Sequence, residues 1–102
     1  MVMSRKYVTL AWVIRMKKIE YGNNKNIIFN QLKIARKKSG VSQTELAAKM
    51  QTLNVNIDQQ MISKIENNMR IVTDYEFASF CKALNIDERA LLKDYYTTLL
   101  DS

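Results

Sequence analysis

The sequence predicts an all-α domain of five short helices behind a basic N-terminal extension. Three observations carry that prediction. Two Ser/Thr-x-x-Glu capping boxes, "SQTE" at residues 42–45 and "TDYE" at 73–76, each open an apolar stripe of helical spacing. Proline is absent from all 102 residues, so nothing forces a helix to break. Glycine and asparagine fall between the stripes, where turns belong.

The first predicted helix starts at Asn26, a suitable cap, and carries Ile28, Leu32 and Ala35 on one stripe. It ends at Ser39 and Gly40, with Gly40 suited to a left-handed stop. In the second, Ser42 and Glu45 satisfy each other's free amides, and Leu46, Ala47, Met50 and Leu53 form the buried stripe. Asp58 caps the third, in which Ile62 and Ile65 share a face, and which ends near Asn67 and Asn68. Thr73 and Glu76 open the fourth, followed by Phe77, Phe80, Cys81 and Leu84. Asp87 caps a fifth helix running toward the C-terminus.

Ahead of these helices, residues 1–25 read as a basic extension and linker, and residues 26–102 as the domain. The apolar run "YVTLAWVI", Tyr7 to Ile14, suits a short strand as well as a helix. It is too short to span a membrane, and "RMKK" follows where a cleavage site would need small residues. Neither a secretory leader nor a membrane span is expected. "YGNNKN" reads as a linker rich in turn residues.

Composition narrows the chemistry. Histidine, the commonest general base and metal ligand, is absent. The single Cys81 has no second cysteine for a disulfide or a zinc site, and its apolar helical setting makes it a small core residue. Two glycines make no phosphate-cradling loop. The expectation is a protein without catalytic residues, metal or cofactor. The net charge of +6 and pI near 9.6 suit a polyanionic partner. That charge is uneven: residues 1–41 hold ten Lys or Arg against Glu20, a net of +9, whereas residues 42–102 hold six against nine acidic residues, a net of −3. A solvated basic face would account for this as well as a binding face does.

The segments "LKIARKKSGVSQTELAAKM" and "IDQQMISKIENNMR" resemble the Cro and phage-repressor (Xre-like) family of helix-turn-helix proteins. The likeness covers roughly residues 27–92, and "SGVSQTELA" and "ISKIEN" carry most of it. It implies a lambda-repressor-like helix-turn-helix domain whose third helix enters the major groove of double-stranded DNA. Gln59, Gln60, Met61 and Lys64 then fall on the reading end. A glutamine amide donates and accepts at once, matching adenine N6 and N7. The resemblance sets Gln43 and Thr44 at the second helix's entrance, where the family meets phosphate, and pairs Arg36 with Glu66 in a partly buried ion pair. Arg70, Lys37 and Lys38 are further candidates for phosphate contact. One departure stands out. The family joins its second and third helices by a tight turn, whereas "QTLNVNI" here is several residues longer, with the turn expected near Asn54 to Asn56.

These readings imply a bacterial or phage transcriptional regulator, a repressor by resemblance, acting at the nucleoid in the cytoplasm. An antitoxin of the same fold, with a toxin protein as second partner, and an interaction module that has kept the fold are the alternatives. In "DERALLKDYYTTLLDS" the apolar residues Leu91, Leu92, Tyr95, Tyr96, Leu99 and Leu100 cover an arc wider than one docking face needs. Leu91 and Tyr95, with Leu92, are placed to close the core. Tyr96, Leu99 and Leu100 then remain for a homodimer contact, or for packing against the N-terminal extension.

Overall fold

A computed structural model describes residues 21–100 of the chain. The described residues form five helices: α1 (Phe29–Lys38), α2 (Gln43–Thr52), α3 (Gln59–Glu66), α4 (Asp74–Leu84) and α5 (Glu88–Leu100). The all-α expectation holds in number and order. The run Tyr7–Ile14, with Lys17 and Lys18, lies outside the described residues.

Both capping boxes form. Ser42 Oγ accepts from the Glu45 amide at 3.0 Å while Glu45 Oε1 accepts from the Ser42 amide at 2.9 Å. Thr73 and Glu76 exchange the same pair of bonds. Those backbone and hydroxyl donors hold the Glu45 carboxyl below its ordinary pKa. Asp58 caps α3 through the Met61 amide at 2.8 Å. Asp87 Oδ1 accepts from Arg89 N at 2.8 Å ahead of α5.

The helix ends explain the asparagines. Val41 N donates to Arg36 O and Gly40 N to Lys37 O, a pair of closing bonds that requires Gly40 in the left-handed region, at φ +70°. Asn54, Asn68 and Asn85 take the corresponding left-handed positions after α2, α3 and α4. Asparagine tolerates this conformation better than other residues with a Cβ.

Every helix sends at least one fully buried side chain to the centre: Leu32, Leu46 and Met50, Ile62 and Ile65, Phe80, and Leu91. Each such burial stabilises by about 1.5–3 kcal/mol. Helix α3 packs against both α1 and α2, and α1 also packs against α5. The third helix is therefore gripped along its inner face while its outer face stays open.

One expectation is revised. Asn26 does not cap α1. The helix starts behind Ile28, which has no side-chain cap, and Asn26 is buried with three bonds of its own. Its Oδ1 accepts from Ile28 N at 3.0 Å, and its Nδ2 donates to Ile65 O at 3.1 Å and Arg70 O at 2.9 Å. Asn26 thus ties the entry of α1 to the exit of α3. Residues 21–25, read as a linker, are tied down onto the domain. Tyr21 and Asn24 exchange backbone bonds of 2.8 and 2.9 Å across a two-residue turn that uses Gly22 at φ +61°. Asn68 then clasps the segment, its Oδ1 accepting from Lys25 N at 2.8 Å and its Nδ2 donating to Asn24 Oδ1 at 2.9 Å. The Tyr21 ring meets Tyr95 edge-on at 5.6 Å.

Candidate nucleic-acid interface

The open face of α3 begins with Gln59 and Gln60, both exposed, and continues through Lys64, also exposed. Ile62 and Ile65 point the other way, at 0% exposure, so burial of one face fixes which residues the other presents. Beneath the open face runs a chain of four polar side chains. The Arg36 guanidinium, from α1, donates through Nε to Glu66 Oε2 at 2.6 Å and through Nη2 to Oε1 at 3.1 Å. Its Nη1 donates to Val41 O at 2.9 Å. Glu66 Oε1 also accepts from Gln43 Nε2 at 3.0 Å, and Gln43 Oε1 accepts from Gln59 Nε2 at 2.7 Å.

The ion-pair partners are nearly dry, with side-chain exposures of 9% for Arg36 and 1% for Glu66. A buried ion pair holds its geometry because breaking it strands a charge. That rigidity passes through Gln43, at the first position of α2, to Gln59, at the first position of α3. Gln59 still has one amide hydrogen and its carbonyl oxygen to offer, the set that a bidentate contact to adenine uses. Gln60 makes no side-chain bond among the described residues and offers its whole amide.

Gln43 and Thr44 sit where sequence reading sets them, at the start of α2, with Thr44 exposed. Ser42 satisfies the Glu45 amide and leaves the two preceding amides facing outward. Outward amides at a helix start favour an anion such as phosphate. Lys37 and Lys38 are exposed at the end of α1.

The geometry gives two expected contact residues partners within the chain. Met61 is half-buried against the core, and its sulfur lies 3.4 Å from Asp58 N, where it caps α3. The Arg70 guanidinium turns inward to Glu76, with Nη1–Oε1 at 2.9 Å and Nη2–Oε2 at 3.0 Å, and Nη1 also donates to Ile71 O. This bond to Glu76 raises the Arg70 pKa further. Burial pushes the Glu76 carboxyl up, but bonds from Arg70 and Thr73 outweigh it and leave the pKa below its ordinary value. Sequence reading gives Glu76 its capping box alone. A carboxylate has lone pairs for both duties, and only the fold brings Arg70 alongside. The Gln43–Glu66 bond likewise has no local signature, because its partners lie 23 positions apart.

The connection between α2 and α3 departs from a tight turn for a visible reason. Helix α2 runs to Thr52, and residues 53–58 return along it to Gln59. Val55 N donates back to Met50 O at 3.1 Å, and Gln51 Nε2 reaches Ile57 O at 3.3 Å. Val55 and Ile57 are buried, at 5% and 0% exposure, so the extra residues are part of the core.

Among the described residues no helix is long and apolar enough to cross a membrane. No curated protein and no solved structure matches the chain. A family model described as helix-turn-helix matches residues 32–91, the span that holds all of α2, α3 and α4 and the four-residue polar chain. With that match over more than half its length, and with its second and third helices arranged as described, the chain belongs to the Cro/repressor-type (Xre-like) helix-turn-helix family.

Proposed function

We propose that this protein is a sequence-specific transcriptional regulator that reads the major groove with α3. The observation that carries the reading is the Arg36–Glu66–Gln43–Gln59 chain, which pre-positions one glutamine and leaves its neighbour Gln60 free. Side chains held before binding lose less entropy when they meet a base. In this reading Gln59 and Gln60 contact base edges, Lys64 reaches a base or phosphate one turn on, and Gln43 and Thr44 seat a phosphate at the start of α2.

The regulator acts as a homodimer through the end of α5. Tyr96, Leu99 and Leu100 are exposed there, Leu100 at 86%, while Leu91 closes the core on the same helix. A two-fold protein reads two half-sites about one helical turn apart, which adds affinity. The same apolar end also suits a second protein, as in an antitoxin, and a toxin gene beside this one would favour that reading.

Selection of bound DNA from a random library, using the full chain, tests the proposal. A preferred half-site should emerge, and Gln60→Ala should weaken binding to it by about 1–3 kcal/mol while relaxing one base position. Unchanged affinity and preference in the double variant Gln59→Ala, Gln60→Ala would overturn α3 as the reading element.

A further inference from the structure

From the long connection between α2 and α3 we infer a second DNA contact: the Asn56 amide, aided by Asn54, binds the sugar-phosphate rim of the groove that α3 enters. The inference rests on the DNA-reading role of α3 and extends it to residues outside the two helices.

The connection alternates. Val55 and Ile57 are buried, and Asn54 and Asn56 between them are exposed. Bonds from Val55 N and Gln51 Nε2 hold the backbone on both sides of Asn56, so its side chain is presented from a fixed support. The left-handed backbone of Asn54, at φ +63°, accounts for an asparagine there. Nothing local accounts for the one at Asn56: its amide caps no helix and bonds to no group among the described residues. Together with Gln51 and Val55, the two asparagines line a shallow concavity open to solvent.

Chain length places that concavity. Asn56 precedes Gln59 by three residues, a reach of at most about 11 Å. The major groove is about 12 Å wide. A residue that close to a helix start seated among the bases lies within reach of a phosphate-lined rim, and residues 53–58 are the segment that approaches it. A neutral amide suits this place, because it can donate to a phosphate oxygen or accept from solvent as the helix moves between sites. Asp58, also exposed, already uses its Oδ1 to cap α3.

The test uses the full chain and the DNA site selected above. Asn56→Ala should weaken binding about tenfold, as expected for one exposed hydrogen bond to a charged phosphate oxygen. The loss should be similar on preferred and unrelated sequences, with an unchanged salt slope, since an amide displaces no counterion. Asn56→Asp should weaken binding more than Asn56→Ala, because it sets a carboxylate against phosphate. Asn54→Gly keeps the backbone conformation, removes the side chain, and should give a smaller loss. Thermal melts of each variant show whether the connection keeps its fold. A methylphosphonate scan of the site should find one rim position whose neutralisation weakens the native protein but adds nothing to Asn56→Ala.

Folded Asn56→Ala and Asn56→Asp variants that bind like the native chain, with the same methylphosphonate profile, would overturn the inference. If Gln60→Ala still relaxed base preference in that case, the reading role of α3 would stand without the rim contact. A chain that selects no DNA would overturn both.

Discussion

Replacing Glu66 by glutamine keeps the side chain's shape and removes its charge. In the native protein this carboxylate takes donors at 2.6, 3.1 and 3.0 Å, from Arg36 twice and from Gln43 once. After Glu66→Gln the Arg36 guanidinium stays buried, keeps its bond to Val41 O, and has no counter-charge. Stranding one member of a buried pair costs about 3–5 kcal/mol. A domain of this size has about 5–15 kcal/mol of stability in all, so the variant should melt at least about 12 °C lower. Urea unfolding followed by circular dichroism measures the loss, with an unchanged m-value as the check that both states keep their compactness.

The apolar double variant Arg36→Met, Glu66→Leu separates stability from binding. Removing both charges should leave stability close to native or somewhat higher. DNA affinity should still fall, because Gln43 loses the acceptor that orients it toward Gln59. A charge swap, Arg36→Glu with Glu66→Arg, should recover part of what the single changes lose. A cost under about 1 kcal/mol for Glu66→Gln, or strict additivity of Arg36→Ala and Glu66→Ala in a double-mutant cycle, would rule out a buried pair of this strength.

Four further outcomes are expected. Because the Glu76 pKa is lower folded than unfolded, its contribution to stability is full above the ordinary value of 4.5 and is lost as pH falls through the folded value; Glu76→Gln should flatten the acid limb of a stability–pH curve, and an unchanged limb would count against the Arg70 pairing. Asn26→Ala leaves the Arg70 carbonyl without its donor, removes one of the donors to the Ile65 carbonyl, and should cost about 1–3 kcal/mol in the same unfolding assay, whereas a neutral result would remove Asn26 as the tie between α1 and α3. Sedimentation equilibrium at micromolar concentration should show a dimer that Leu99→Asp with Leu100→Asp dissociates; a native monomer would defeat the α5 interface. Deleting residues 1–20, which spares the Tyr21–Tyr95 pair, should flatten the salt dependence of DNA binding by about 0.9 for each phosphate that the extension neutralises, and an unchanged slope in a chain that no longer dimerises would make the extension an assembly element instead.

Sequence alone settled the helices and much of the open face of α3. Capping boxes at Ser42 and Thr73 work over three residues, and the stripes ending in Ile62, Ile65 and Leu91 follow from helical geometry alone. With Ile62 and Ile65 inward, Gln60 and Lys64 had to face outward, whatever the rest of the chain did. The Arg36–Glu66 pair was legible only through family resemblance, because no local rule joins residues 30 positions apart.

Tertiary structure decided what each remaining polar group does. Asn26 has the makings of a helix cap, yet burial against the exit of α3 offered it the Ile65 and Arg70 carbonyls as acceptors. Arg70 is a phosphate ligand by charge and place, yet Glu76 sits 2.9 Å away once α4 docks. Met61 lies on α3 but turns to the core, and the polar connection "LNVNID" hides Val55 and Ile57. The physical reason is common to all four cases. Hydrogen-bonding capacity and apolar area are properties of a residue, whereas the partner that meets them is chosen when distant segments pack and exclude water.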